Sequence, residues 1–391
     1  MTHRAALTTC LSTISNQTSE SFGAKLDRIG HMSTPLKIGV IGAGQIGHIA
    51  CEEILRHPDA RVTAASDLDS TRLDRLAERF AIGERFLDPE ALLASDSVDA
   101  VYIATPNVFH APLALAALEH GKHVVLEKPF AMNAAEAESV VAAARESGRV
   151  FTLGMNQRFR ADVQRVHGLV ASGSLGNVYH AKAYWLRRAG IPKLGTWFGK
   201  RSLAGGGALL DIGVHMLDLA LHVTGNFRPV AVSGHVQTVF GQRGLGEGGW
   251  GYSDATETGF DVEDTASALI KFENGATLSL EVSWAAHQAE NTRWNLELFG
   301  SDAGASCYPA TLFRSGQDGD YVVQQELKGA LRYPHSSRFA NFVNAILGRE
   351  ELCVTPEQAL VVQRVLDAIY ESSASGREVL LGGFSAGART G

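Results

Sequence analysis

Lys37-Ile-Gly-Val-Ile41 is a short apolar strand that runs without a spacer into Gly42-Ala-Gly-Gln-Ile-Gly47, which opens a helical stretch at about 45–56. No other junction restricts the fold as strongly. A strand that turns through three glycines directly into a helix is the first half of a β-α-β unit, whose second strand lies parallel to the first. The sequence that follows keeps the rhythm this requires. Strands are expected at 61–66, 99–104, 123–126 and 150–153, with a short one near Phe86. Helices are expected at 70–80, at about 109–120 and at 134–147. This alternation predicts an α/β domain with a doubly wound parallel sheet.

The glycine turn also has a chemical reading. Its first glycine permits the tight turn, its second lets the backbone approach a pyrophosphate, and its third allows close helix–strand packing. The helix it opens presents free N–H groups and a positive dipole end to phosphates. Gly42, Gly44, Gln45, Ile46 and Gly47 are the expected dinucleotide cradle. Asp67 stands 20 residues after Gly47, at the end of the second strand. A carboxylate there hydrogen-bonds ribose hydroxyls and repels a 2′-phosphate, which favours NAD over NADP. Arg72 is the one side chain expected to bend back toward such a phosphate. Thr105-Pro106-Asn107, with His110 just beyond, and Glu127-Lys128-Pro129 end later strands. Ligands bind at that carboxyl edge of parallel sheets. Lys128 would project toward the nicotinamide as a proton-transfer group, or else be a surface lysine beside a strand-ending proline.

Beyond about residue 158 two-residue alternation takes over. After a helix at about 161–171, strands are expected at 178–187, 230–240, 266–272, 276–284, 293–300 and 308–314. Asn274-Gly275 between two of them is a hairpin signal. Helices at about 336–347 and 356–374 close the chain, and 244–251, with five glycines, reads as a loop. This predicts an α+β second domain with a large, mostly antiparallel open sheet. Within it, Gly205-Gly-Gly-Ala-Leu-Leu-Asp-Ile-Gly-Val-His-Met-Leu-Asp218 reads as a helix entered through a glycine turn. Asp211, His215, Asp218 and His222 then follow at spacings of four, three and four, along one face. The positions around them are apolar, so the helix is buried. Buried carboxylates and imidazoles must be paired, hydrogen-bonded or functional. Asp211 and His215 are therefore a candidate acid–base pair. A metal is the rival reading of the stripe, but no cysteine or third histidine has matching spacing, and no metal is expected.

Taken in order, the dinucleotide turn, Thr105-Pro106-Asn107, Glu127-Lys128-Pro129 and the segment from Gly205 to Asp218 resemble one family over residues 36–375. It is the glucose–fructose oxidoreductase / inositol dehydrogenase / MocA (Gfo/Idh/MocA) family. The glycine turn is not specific to it. The E-K-P element combined with G-G-G-x-L-x-D-x-G-x-H-x-x-D is highly specific. The resemblance implies an NAD(P)-dependent dehydrogenase of polyols or sugars, with Lys128, Asp211 and His215 catalytic. It also implies a homodimer or homotetramer formed through the second domain's sheet. Arg188-Ala-Gly-Ile-Pro192 followed by Gly195-Thr-Trp-Phe198 is similar, less specifically, to the inositol and levoglucosan dehydrogenase branch. Asn156-Gln-Arg-Phe159 matches a recurrent family element beside the active site. The expected substrate contacts are thus Lys128, Asn156, Arg158, Trp197, Asp211 and His215, with His287 and Tyr333 as further candidates. Trp197 could equally pack in the core.

The expected reaction is oxidation of a secondary hydroxyl of a sugar, anhydrosugar or inositol. Hydride goes to the nicotinamide and the proton to His215 or Lys128. Two alternatives remain: an NAD-dependent glycosidase acting by transient oxidation, and a non-catalytic dinucleotide-binding sensor, against which the presence of Lys128, Asp211 and His215 together speaks. Composition argues against other classes. A net charge of −7 without basic runs offers no nucleic-acid surface, and no run approaches the roughly 18 uninterrupted apolar residues of a membrane span. Four scattered cysteines fit a reducing compartment, and with it the cytoplasm. At 391 residues the chain holds two cores. An NAD(P)-binding Rossmann domain is expected at 36–157 and a substrate-binding and oligomerisation domain at 158–380. Residues 1–35, rich in Ser and Thr with no acid before Glu20, read as a disordered or processed extension, a transit peptide being the alternative. Residues 381–391 read as a flexible tail. Within the stripe, Asp211 and His215 are expected to face substrate, with Asp218 and His222 deeper and structural.

Overall fold

Six strands carry the first half: β1 (Leu36–Ile41), β2 (Ala60–Ser66), β3 (Glu84–Phe86), β4 (Ala100–Ile103), β5 (His123–Leu126) and β6 (Phe151–Leu153). They form one sheet in the order β3-β2-β1-β4-β5-β6, parallel throughout. Between them run α1 (Gln45–Ile54), α2 (Ser70–Phe80), α3 (Pro89–Leu93), α4 (His110–Glu119) and α5 (Ala134–Ser147). Every residue of β4 is buried, as a sheet covered by helices on both faces requires. The strand order reverses between β1 and β4, and a cleft opens at the carboxyl ends there. This computed structural model describes residues 34–251, 259–316, 322–328 and 337–382. Tyr333, nearly all of the N-terminal extension and most of the tail lie outside the described residues.

The second half begins with α6 (Ala161–Ala171) and β7 (Val178–Arg187), then the short α7 (Arg201–Ala204) and the long-expected buried helix, α8 (Val214–Thr224). There follow β8 (Pro229–Gln237), β9 (Thr265–Phe272), β10 (Thr277–Ser283), β11 (Thr292–Gly300), β12 (Gly304–Cys307), β13 (Ala310–Ser315) and β14 (Val322–Glu326). The chain closes with α9 (Arg338–Ile346), α10 (Pro356–Ser375) and β15 (Val379–Leu380). The nine strands form one sheet in the order β14-β13-β12-β11-β7-β10-β9-β8-β15. Only β7 and β10 pair in parallel; the other pairings are antiparallel. The Asn274-Gly275 hairpin forms as expected, with Gly275 at φ +83°.

Alternate residues of the central strands, among them Ala181, Ala183, Leu280, Val282, Leu296 and Leu298, are buried on one face. Helix α8 covers that face and is itself buried almost all round. By length and composition Arg201–Thr224 is apolar enough to cross a membrane, yet 83% of its most apolar window is buried inside the protein. Its apolarity belongs to the core.

Two expectations need correction. The helix drawn as continuous from the glycine turn begins instead with a π-helical turn, Leu209–Gly213, which carries Asp211. The 158–380 domain is not one packing unit either. Phe339, Phe342 and Val343 of α9 sit in the first domain's core with Ile38, Val40 and Tyr102, the Phe339 ring 5.1 Å from that of Tyr102. An apolar stripe at i, i+3 and i+4 must be buried somewhere, and the open flank of the first sheet is where α9 buries it.

Candidate active site

A cavity of about 460 Å³ lies between the domains at the carboxyl ends of the parallel strands. One wall carries Gly44, Gln45, Ile46, Thr105, Asn107, His110, Glu127 and Lys128, and the other Trp197, Gly206, Gly207, Asp211 and Trp250. The three turn glycines have different causes. Gly42 has φ +107°, and a Cβ there would strike the Ala104 carbonyl. A Cβ on Gly47 would strike the Gly42 carbonyl. Gly44 has nothing within 4 Å of its would-be Cβ, and the open space beside it is the cavity. The fold itself demands two glycines, while the third keeps room for a ligand against the backbone, the arrangement a pyrophosphate needs. Helix α1 starts at Gly44 without a side-chain cap, so its first N–H groups are available to an anion. Thr105 Oγ1 is buried there with no partner. These residues fit a dinucleotide.

Asp67 and Pro106 stand behind this wall. Asp67 Oδ2 accepts from Ala43 N at 2.7 Å and Oδ1 from Asp69 N at 2.8 Å. The carboxylate thereby shapes the turn and keeps acceptor capacity for ribose hydroxyls. Arg72 does line the cavity, with Nε 3.2 Å from Asp69. His110 lies between the carbonyls of Pro129 (Nδ1, 2.7 Å) and Thr105 (Nε2, 3.0 Å), and its single N–H in the neutral form donates to one of them. Asn107 Nδ2 donates to Ala204 O at 2.7 Å, across to the second domain.

On the opposite wall, Glu263 Oε1 accepts from Gly207 N (2.8 Å), Leu209 N (3.0 Å) and the Tyr370 hydroxyl (2.8 Å). The glycine triplet makes this possible: a Cβ on Gly206 would collide with the Tyr370 hydroxyl, and one on Gly207 with the Glu263 carbonyl. The turn so anchored opens into the π-helical turn, a feature that often marks functional sites. Lys128 Nζ donates to Asp211 Oδ1 at 2.8 Å and to Asp211 O at 3.1 Å. Fully buried Trp284 donates from Nε1 to Asp211 Oδ2 at 2.8 Å. Burial alone would raise the Asp211 carboxyl, but Lys128 and Arg187 outweigh it and hold the group down to about 2. His215, expected to face substrate, is not among the residues that line the cavity; it is 9% exposed, and its Nδ1 is buried without a partner. Burial, then the Lys128 charge, push this imidazole down to about 3. It is neutral at pH 7, the form that accepts a proton. Beneath Lys128, Glu127 accepts from the Tyr102 hydroxyl at 2.5 Å and pairs with Arg338, which also reaches Glu53 at 3.1 Å. Burial would raise Glu127, but Arg338 outweighs it and the carboxyl is lowered.

Residues 36–155 match the oxidoreductase family Gfo/Idh/MocA, with its NAD-binding Rossmann fold. Residues 163–306 match the Gfo/Idh/MocA C-terminal domain. A D-glucoside 3-dehydrogenase of Escherichia coli strain K12 is 33% identical over 352 residues, 89% of this chain and 98% of that relative. The chain belongs to the Gfo/Idh/MocA family. A myo-inositol 2-dehydrogenase of Thermotoga maritima is 28% identical over 266 residues, 68% of this chain and 73% of the relative. The solved aldose–aldose oxidoreductase of Caulobacter crescentus, complexed with glycerol, has a TM-score of 0.73 at 26% identity, covering 89% of this chain and 100% of that one. A levoglucosan dehydrogenase in complex with NADH and levoglucosan has a TM-score of 0.76 at 22% identity, covering 89% and 100%, and shows the shared fold.

In this Gfo/Idh/MocA oxidoreductase the four-residue stripe splits. Asp218 pairs with Arg158, Nη2–Oδ1 at 2.6 Å and Nε–Oδ2 at 2.9 Å, with both side chains sealed from solvent. Arg158 Nη1 also donates to Cys353 O (2.7 Å) and Gln358 Oε1 (2.6 Å). Arg158, expected at the substrate, is therefore a core residue. A guanidinium so buried must satisfy its donors inside the fold. Asn156 is exposed on a short turn after β6 and does not line the cavity, contrary to expectation. Trp197 lines it, stacked at 3.8 Å on Phe198. His222 stacks on His167 at 4.7 Å, and His287 lies edge-on to Phe240 at 5.1 Å. Sequence reasoning missed Trp284, Glu263, Tyr370, Tyr102 and Arg338. One signal was available: Trp284 continues the inward parity of Leu280 and Val282.

Proposed function

We propose that this enzyme oxidises a secondary hydroxyl of a sugar, anhydrosugar or inositol, with NAD as hydride acceptor. The observation that carries the reading is the Lys128–Asp211 pair, which opens on the same cavity as Gly44. The name and near full-length match of the D-glucoside 3-dehydrogenase relative make a glucoside the first substrate to try.

Gly44, the first N–H groups of α1, Asp67 and Thr105 would hold the dinucleotide, and its nicotinamide, when bound, supplies the hydride acceptor. Lys128 Nζ has two of its donors on Asp211, and its third is free for the substrate hydroxyl oxygen. That hydrogen bond strengthens as the oxygen gains negative charge. Neutral His215 takes the hydroxyl proton as the C–H hydrogen departs as hydride. The carboxylate of Asp211, fixed by Trp284, stabilises the imidazolium so formed. Trp284 orients the carboxylate and does not touch substrate.

The test is NADH appearance with methyl glucosides, D-glucose, levoglucosan and myo-inositol. At least one should reduce NAD, and Lys128→Met should stop turnover while NAD still binds. Tight NAD binding with no reduction by any of them would overturn the proposal. Release of an aglycone without net NADH would replace it by the glycosidase reading. The same proposal includes self-association through the outer face of the nine-stranded sheet, where Leu269 and Phe299 are each 39% exposed. Light scattering showing a monomer would remove that part.

A further inference from the structure

We infer that the inner face of the second sheet carries a second sugar subsite beside the catalytic pair, so that the preferred substrate is a two-ring glycoside. This rests on the dehydrogenase reading above.

The parity of β7 that turns Ala181 and Ala183 toward α8 also turns Trp185 and Arg187 to the inner face, at the strand's end. Trp185 stands opposite Trp294 in the β7–β11 register, with ring centroids 5.4 Å apart. Trp294 in turn stacks on Tyr308 at 4.0 Å. Two guanidinium groups lie over this row. Arg187 is 4.8 Å from the Trp185 ring, and Arg160 is 5.0 Å from Trp294 and 4.9 Å from Tyr308. The row begins at the active site, where the His215 ring lies 6.3 Å from Trp185. It ends at exposed Arg160.

Trp185 and Tyr308 pack in part against the core, but packing leaves two polar features of the row unexplained. Trp284, on the neighbouring strand, is fully buried and has its N–H on Asp211. Trp185 and Trp294 are only half-buried, and the Trp185 Nε1 atom is buried with no acceptor. Arg187 hydrogen-bonds only weakly, to Gly190 O at 3.4 Å, and a Cβ on Gly190 would collide with the Arg187 stem. The glycine thus makes room for a guanidinium that lies beside Asp211 and makes no close ion pair there. A buried donor such as Trp185 Nε1 calls for an acceptor. A sugar ring meets both demands: its C–H face stacks on indole, and its hydroxyls accept from N–H groups. The row extends three rings beyond His215, more than one six-membered ring can cover. The first ring occupies the place beside His215, Arg187 and Trp185, and the second lies further along the row, toward its exposed Arg160 end.

The experiment compares kcat/KM for methyl glucoside with that for disaccharides of glucose, using NAD and the full chain. The two-ring substrates should be preferred by about 10-fold, through KM. Trp294→Ala should remove most of that preference, and Trp294→Phe should restore it. Arg160→Ala, at the exposed end, should reduce the preference several-fold and gives a second reading if the core-side variant folds poorly. Sugar-dependent NADH formation with no two-ring preference, or with the preference intact in both alanine variants, would overturn the subsite alone. No NADH with any sugar would overturn the dehydrogenase reading and the subsite with it.

Discussion

Two ion pairs stand seven residues apart along one helical segment, and they do opposite things. Lys128–Asp211 is 2.8 Å long with side chains 18% and 14% exposed, while Arg158–Asp218 is 2.6 Å long with side chains 0% and 1% exposed. The sealed pair uses a planar fork on a carboxylate, with further acceptors for the remaining donors. The open pair uses a compact ammonium that keeps a donor for the cavity. A carboxylate on an apolar helix is thus not by itself a sign of catalysis. What separates the two is whether a partner's hydrogen bonds are complete within the protein.

The comparison breaks most sharply at Lys128. Lys128→Met should lower kcat/KM by about 10³-fold or more and shift the melting temperature little. Strong destabilisation with activity retained would make that pair structural too. The reverse holds for Arg158→Met, which strands Asp218 in the core and should cost about 3–5 kcal/mol of stability. The folded fraction should keep kcat within a few-fold. Urea unfolding and active-site titration separate these outcomes, and a collapse of kcat at intact stability would return Arg158 to the site. Arg158→Met combined with Asp218→Leu should recover much of the loss.

A smaller effect probes the turn. Gly44→Ala, which fills ligand space, should weaken NAD binding by about 10-fold with stability unchanged. Gly42→Ala should instead lower the melting temperature, since its Cβ meets backbone. Equal effects of the two would remove the distinction between fold-required and ligand-required glycine.

A last way to sharpen the comparison is the pH dependence. His215 falls from an ordinary 6.5 to about 3, so its neutral form is the one the fold favours. Its contribution to stability is complete above pH 6.5 and drains away as pH falls toward 3. Asp211, lowered from 3.8 to about 2, adds a loss only below pH 3.8. From pH 6.5 down to 3.8, where only the histidine loss operates, His215→Gln should flatten the decline in melting temperature in part, because His110 and His123 are lowered as well. An unchanged slope would locate the titration elsewhere.

The doubly wound sheet was legible because its signals are local. The Gly42–Gly47 turn, the apolar strands and the Asn274-Gly275 hairpin each follow from a few neighbouring residues. Lys128 and Asp211, which line the cavity, were legible as candidates through the segments around them. Trp284, Glu263 and Arg338 were not, because each reaches the site from a distant element: Trp284 Nε1 bonds a carboxylate 73 residues away, and Arg338 bonds one 211 residues away. The π-helical turn was also hidden, since its residue pattern is that of an α-helix.

By itself the sequence determined which residue types lie on which face of each element, since backbone periodicity alone sets that. It thereby determined the parallel and antiparallel domains and the line of acids and imidazoles on one helix. Only the tertiary structure decided which of those groups meets solvent. Asp211 and Asp218 stand seven residues apart in one helical segment, yet one borders a cavity between two domains and the other is closed over by Arg158. That boundary is made by packing elements far apart in the chain, and the free energy of a buried charge depends on what those elements bring to it.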